Sequence, residues 1–409
     1  MQPKALDNNM RLYIHDFGGY AFPFQLSTSL AERGHQVLHA YYGSHQTTPP
    51  GVNSEAGRDL PNLEIEPIEL KEVLNKYNFL KRWRQESEYG YAVSKSVRAF
   101  KPDLVLSANT PLDAQKTLLK TCKKQGYPFV FWLQDLLGLA SYNILSRKIP
   151  VAGALIGKHY ISLEKKLLRQ SHAIVGISEL FIQFLRDATI QENKLWLQPN
   201  WAPLDQLPEL SKENAWSRSQ GLHDTFCFLY AGTLSMKHNP QLLVDLAQAF
   251  QQQPEIKIVV ASNGLGASWL QDQKQALGLS NLLILPYQPI DTLPQVLATA
   301  DVTLTLLEEA AGIYSVPSKV LTYMCAARPL LMAVPADNQA SQMIKSNSAG
   351  LVCAPGNSDE FVAAARQLVD NASLRNEQGR QARRLAENRF DIDKITDFFE
   401  QVFEKACNR

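Results

Sequence analysis

Short, wholly apolar runs, each closed by turn-forming residues and followed by a helical pattern, recur along this 409-residue chain. Phe129 to Leu133 (FVFWL) and Val302 to Leu307 (VTLTLL) are the clearest. A strand that is apolar on both faces must be covered on both, which is the condition of a parallel sheet packed between helices. The theme opens at Arg11 to Asp16 and restarts at Phe226 to Tyr230. Between these halves lies a Pro-rich stretch, 199 to 222, where hydrophobic periodicity lapses and a domain linker is expected. Two successive βαβ arrays follow, giving an α/β protein with two Rossmann-like, doubly wound domains facing a central cleft. The expected boundaries are 1–200 for the first domain and 201–389 for the second, with a final helix at about 390–409 free to pack back on the first.

Composition excludes several classes of function. The net charge of +1 lacks the basic excess of a duplex-binding protein, so no nucleic-acid partner is expected. The five cysteines (122, 227, 325, 353 and 407) are scattered and without metal-ligand spacing, as in a reduced, cytoplasmic protein. No run of about 18 apolar residues offers a membrane span. The opening MQPKALDNNM lacks an apolar signal core and reads as a short disordered leader.

The richest stretch for chemistry is 302–334. After its strand and a small-residue loop come Pro317-Ser318-Lys319, a helical segment from Val320 to Ala326, and a second strand, Leu330 to Val334. Ser318 occupies the N-cap position and Lys319 the first turn. The unpaired N–H groups and positive dipole end of a helix start, joined by an ammonium group, suit a phosphate or diphosphate. A plain Ser-capped βα connection is the alternative reading of the same residues.

Elsewhere, Gly18-Gly19 after the first strand serves either as a tight turn or as a ligand loop, and the GxGxxG dinucleotide fingerprint is absent. Residues 43 to 66 read as a long loop, and 70 to 101 as a basic helix interleaved with aromatics. Residues 144 to 170 read as a second basic amphipathic helix. Each of these two helices is either a solvated face or an interfacial surface, the first touching an anionic membrane or a lipid-linked acceptor. Gln134 and Asp135 stand at the tip of the FVFWL strand, where open α/β sheets place ligands; an N-cap role for Asp135 is compatible with that.

These pieces, taken in order, resemble the retaining, group 1 family of nucleotide-sugar glycosyltransferases with the GT-B fold, in its exopolysaccharide or colanic-acid type branch. The carriers are Gly18-Gly19 with LAERGHQV (30–37), WLQDL (132–136), YAGTLSMKHN (230–239), LPYQP (285–289), VPSKVLTYMCAARP (316–329) and AGLVCAPGN (349–357). The resemblance implies that Lys237, beside Gly232 and Thr233, reaches the donor diphosphate. It implies that Ser318 and Lys319, with the N–H groups of Val320 and Leu321, hold the phosphates, and that Tyr287 and Gln288 border the nucleobase. Gly18 and Gly19 would approach the donor phosphate and sugar, and Asp135 would lie by the reacting centre, with Gln134 where many relatives have His.

Two departures stand out. The Glu pair that relatives carry eight positions apart falls here on Tyr314 and Thr322, leaving Glu308 or Glu309 to supply a displaced carboxylate near the ribose. An Arg usual in the first loop of the second domain is replaced at Thr233-Leu234. The implied activity is sugar transfer, with retention, from a nucleotide-diphosphate sugar to a saccharide or lipid-linked acceptor in cell-surface polysaccharide or glycolipid synthesis. It would need no cofactor or metal, and would take place in the cytoplasm or peripherally on the inner face of the membrane. Alternatives are a nucleotide-sugar epimerase of the same fold and a degenerate, non-catalytic scaffold.

Overall fold

The computed structural model describes residues 9–44, 51, 59–75, 78–309 and 317–408. The chain divides into two compact units, Met1–Asn200 with Ile392–Arg409, and Trp201–Asp391. The first unit begins with β1 (Arg11–Asp16), α1 (Ala21–Glu32), β2 (Gln36–Tyr42), β3 (Leu63–Ile68) and α2 (Phe79–Phe100). It continues through β4 (Leu104–Ala108), α3 (Leu112–Gln125), β5 (Phe129–Leu133), α4 (Leu137–Lys148) and α5 (Pro150–Gln170). β6 (Ala173–Gly176), α6 (Glu179–Asp187) and β7 (Leu195–Leu197) finish its sheet, whose order is β3-β2-β1-β4-β5-β6-β7.

The second unit starts with α7 (Ala215–Ser219), β8 (Phe226–Ala231), α8 (Gln241–Ala249), β9 (Ile256–Ala261), α9 (Leu265–Leu277) and β10 (Leu282–Leu285). α10 (Leu293–Ala298), β11 (Val302–Leu306), α11 (Lys319–Cys325), β12 (Leu330–Ala333), α12 (Gln339–Ser346) and β13 (Gly350–Cys353) complete its sheet, ordered β10-β9-β8-β11-β12-β13. Helices α13 (Ser358–Asp370) and α14 (Ala372–Arg389) close the unit, and α15 (Ile392–Cys407) returns to the first.

Every strand pair runs parallel. The strands that read as wholly apolar are wholly buried: β4, β5, β11 and β12 expose nothing on either face. In each sheet the order reverses once, at β1/β4 in the first unit and at β8/β11 in the second. Helices cross to opposite faces on either side of such a point, which leaves a crevice at the strands' carboxyl ends.

Helix α15 is held to the first unit by packing and by charge. Phe399 lies edge-on against Trp132 with ring centroids 4.9 Å apart, and Thr396 Oγ1 donates to Ser29 Oγ at 2.8 Å. Arg33 pairs with Asp397 at 2.5 Å and with Glu400 at 2.9 Å.

Four expectations are corrected. The loop expected over 43 to 66 contains most of β3, an edge strand whose Leu63 and Ile68 face inward while Glu64 is exposed, a weak alternation in sequence. The helix expected from Leu70 begins only at Phe79, capped by Asn78, whose side chain accepts the Lys81 N–H. The single helix expected over 144 to 170 is part of a hairpin of α4 and α5, because Pro150 cannot donate within a continuing helix and starts a new one. The linker expected over 199 to 222 packs into the second unit from Trp201 onward, with Trp201, Leu207, Trp216 and Leu222 all buried.

Candidate functional site

At the β8/β11 reversal, the side chains at the end of β8 and the start of α11 meet. Tyr230 is the last fully buried residue of β8, and Lys319 opens α11. The Lys319 Nζ sits 3.5 Å above the centre of the Tyr230 ring. Its side chain runs beside Gly232, where an added Cβ would come within 3.6 Å of the Lys319 Cε. Gly232 has φ of +125°, a conformation that favours glycine, and it brings the backbone past the ammonium group. Tyr323, one turn after Lys319 on the same helix face, braces the arrangement. Its hydroxyl accepts from the Ala231 N–H at 2.8 Å and donates to the Ala231 carbonyl at 3.0 Å.

The electrostatics here are lopsided. The Lys319 Nζ is buried and has no hydrogen-bond partner among the described residues. Burial, with the charge on Lys237 adding to it, brings its pKa down to about 7. His238, next along the same loop, is held to about 4 by burial first and then by Lys319 and Lys237. Its Nδ1 accepts the Ser235 N–H at 3.1 Å, which fixes the loop. A buried, unpaired ammonium is costly, and an anion entering the corner would relieve that cost.

Lys237 itself is exposed, and its carbonyl accepts the Glu308 N–H at 3.0 Å, tying the loop after β8 to the end of β11. The structure therefore brings Gly232, Lys237 and Lys319 together. Thr233 is exposed, and its carbonyl accepts the Tyr230 hydroxyl. Ser318 does hold the N-cap position, but in helical conformation and without a side-chain cap bond. The N–H groups of Val320 and Leu321 turn back onto the carbonyls of Pro317 and Ser318, at 3.1 and 3.0 Å. The helix thus opens with a tight i to i−3 turn that engages its own donors. Thr322 Oγ1 donates to the Lys319 carbonyl, Glu309 is exposed, and Tyr314 lies outside the described residues.

Beside this corner, a cavity of about 420 Å³ opens at the ends of β9 and β10, lined by Ser262, Asn263, Gly264, Leu285 and Pro286 among others. Asn263 links the two places: its carbonyl accepts the Leu234 N–H at 3.0 Å and its side chain accepts the Tyr287 N–H at 3.4 Å. Tyr287 is half-buried at this border. Gln288 spends its amide inside the protein, accepting from Trp216 Nε1 at 2.9 Å and donating to the Pro286 carbonyl.

In the first unit, Asp16 ends β1 fully buried, a residue that sequence reasoning passed over. Its carboxylate accepts the N–H of Tyr20 at 2.6 Å, that of Gly18 at 3.3 Å and the Asn109 Nδ2 at 2.7 Å. Gly19, with φ of +63°, closes the turn. Burial lifts Asp16 to about 6 against these bonds. Gln134 is buried and accepts from Asn200 Nδ2 at 2.6 Å, while Asp135 beside it is exposed. Asp135 does not cap α4, whose N-cap is Leu136; the buried Glu164 fills that role by accepting the Gly138 N–H at 3.2 Å. Burial lifts Glu164 to about 7, and the charge of Asp135 adds to the rise. Among the described residues, no group of three or more His, Cys, Asp or Glu is arranged as metal ligands.

Two Rossmann-like parallel-sheet units, one with a cationic corner at its strand-order reversal, define a protein of GT-B architecture. Residues 212–385 match the family model for glycosyl transferases group 1, so the second unit carries a group-1-like glycosyltransferase domain. Anabaena Alr3699/HepE, solved with UDP and glucose, is similar at 15% identity and a TM-score of 0.71, covering 97% of this chain and 100% of that one. Sucrose-phosphate synthase from Thermosynechococcus elongatus is similar at 13% identity and a TM-score of 0.73, covering 97% and 98%. WaaG, a glycosyltransferase involved in lipopolysaccharide biosynthesis, is similar at 15% identity and a TM-score of 0.65, covering 94% and 98%. At these identities the likeness is one of fold. No curated protein matches the chain by sequence.

Proposed function

We propose that the protein transfers a sugar, with retention of anomeric configuration, from a nucleotide-diphosphate sugar to a saccharide acceptor, lipid-linked, in the making of cell-surface polysaccharide or glycolipid. The observation that carries this reading is the buried Lys319 ammonium over Tyr230, without a hydrogen-bond partner among the described residues and with Lys237 close enough to depress its pKa. A scaffold gains nothing from burying an unpaired charge, whereas a leaving diphosphate needs one.

In the proposed reaction the bond from the sugar anomeric carbon to the diphosphate oxygen breaks, and both electrons stay with the oxygen. Lys319 and Lys237 stabilise the charge that develops there. The acceptor hydroxyl forms the new bond on the same face, and its proton passes to the departing phosphate oxygen. Gly18 and Gly19, shaped by Asp16, leave backbone room for the donor. Asp135 orients the acceptor. Ribose contact falls to Glu308 or Glu309, because Thr322 holds its own helix carbonyl.

The test is a screen of nucleotide sugars with the purified protein, reading nucleoside diphosphate release in the presence of saccharide acceptors. Uridine nucleotides come first, since Anabaena Alr3699/HepE was solved with UDP. Release that depends on acceptor supports the reading. A protein that no nucleoside diphosphate stabilises against heat at millimolar concentration is a scaffold instead.

A further inference from the structure

The α4–α5 hairpin leaves the sheet immediately after the Asp135 strand tip and ends in four outward aliphatic side chains. Ile144 is 56% exposed, Ile149 54%, Val151 78% and Leu155 66%. Exposed apolar residues scattered singly are ordinary, but four within twelve positions at a helical tip form a patch. The cause is visible in the packing. The two helices meet through Gly153 and Gly157, where an added Cβ would fall 2.0 Å from the Leu145 carbonyl and 2.4 Å from the Tyr142 Cα. With the contact made by glycines, the larger side chains of this half of α5 turn away from it. Only from Leu163 onward does α5 bury its leucines.

Charge supplies the second observation. From 137 to 170 the hairpin carries Arg147, Lys148, Lys158, Lys165, Lys166 and Arg169 against one acid, Glu164, which is buried. The neighbouring first turns of α2 add exposed apolar and aromatic side chains. Phe79 packs edge-on against Tyr160 of α5, with ring centroids 6.4 Å apart, and Leu80 and Trp83 stand 71% and 47% exposed. Lys81, Arg82 and Arg84 lie exposed beside them, Lys81 paired with Glu72 and Arg82 with Glu86. Tyr160 follows Leu155 by about 7.5 Å of rise along α5. Among the described residues no helix is long and apolar enough to cross a membrane.

We propose that the α4–α5 tip, with the first turns of α2, inserts its aliphatic and aromatic side chains into the interfacial layer of an anionic bilayer. The basic residues meet the lipid phosphates and the aliphatic residues pass below them. Helix α4 spans about 18 Å between the Asp135 strand tip and the inserted end, which would hold the strand tips near a lipid-linked saccharide. The surface is independent of the proposed transfer reaction, and its test uses no turnover.

The full-length protein is sedimented with vesicles of phosphatidylcholine alone and of phosphatidylcholine mixed with phosphatidylglycerol, at low and high ionic strength. Binding to the mixed vesicles at least tenfold stronger than to the neutral ones, weakened by salt, is expected. The Val151→Ser/Leu155→Ser double variant should lose at least tenfold of that binding with an unchanged melting temperature, since both side chains are exposed. A Lys158→Glu/Lys166→Glu variant should lose the preference for phosphatidylglycerol. Equal binding to both vesicle types, no binding to either, or full binding by the serine variant would overturn the proposal. So would a concentration-dependent dimer in analytical ultracentrifugation that the serine variant abolishes, since the tip would then face a second copy of the chain.

Discussion

The two strand-order reversals occupy the same place in two similar sheets and differ in what they leave unsatisfied. At β1/β4 the buried charge is Asp16, and three donors from the following turns close around it. At β8/β11 the buried charge is Lys319, and among the described residues an aromatic face is what supports it. A parallel sheet of this order guarantees a crevice but not a ligand; the unsatisfied group decides which crevice can take one.

Replacing the unsatisfied charge should have the largest effect. Lys319→Met should lower nucleoside diphosphate affinity at least 100-fold, or about 3 kcal/mol, in calorimetry. The same variant should melt higher than the natural protein at pH 6. The sign follows from linkage: with a folded pKa of about 7 against an ordinary 10.5, the Lys319 contribution to stability is present above pH 10.5 and is lost as pH falls towards 7. Methionine has no such loss. Retained affinity, or a lower melting temperature, would erase the contrast between the two reversals.

Asp135→Asn should cut transfer about 100-fold while changing donor affinity less than twofold, in paired turnover and calorimetric measurements. A comparable loss of donor affinity would move Asp135 from acceptor to donor. Next comes pH. A bound diphosphate favours charged Lys319, so binding at pH 8 should take up a proton and affinity should weaken up to tenfold per pH unit above about 7. Equal binding heats in buffers of different ionisation enthalpy would contradict this.

The last prediction concerns stability, not binding, at the closed reversal. Asp16 is raised to about 6 from an ordinary 3.8, so its contribution is present below pH 3.8 and is lost as pH rises through about 6. Asp16→Asn should therefore flatten the stability profile between pH 4 and 8 by up to about 3 kcal/mol, read by urea unfolding. An unchanged profile would mean that the donors around Asp16 offset its burial fully.

Much of the frame was legible because burial on both faces writes itself as unbroken apolar runs; β5 and β11 fall where FVFWL and VTLTLL predict them. Lys319 was legible through its place after Pro317-Ser318. The residues that give it meaning were not. Tyr230 reads as one more buried strand residue and Tyr323 as one more apolar helix position, although the four-residue spacing from Lys319 to Tyr323 was available as a signal. Their roles depend on α11 docking against the end of β8, about 90 residues earlier in the chain. The inward turn of the Val320 and Leu321 N–H groups was equally hidden, since sequence does not distinguish a tight first turn from an α-helical one. Asp16 was passed over because an acid closing a strand looks like a solvent-facing end, and the side chain that joins its own turn in enclosing it, Asn109, comes from just after β4.

Helix α15 carries a consequence for how the chain is made. Trp132, the Arg33 guanidinium and Ser29 all meet partners in α15, which follows the whole second unit in the chain. The 191 residues from Trp201 to Asp391 must be synthesised in between, which at about 5–20 residues per second imposes a wait of roughly 10–40 s. A nascent first unit spends that interval with an uncovered aromatic seam, so a stop codon just before Ile392 should injure the first unit rather than the second.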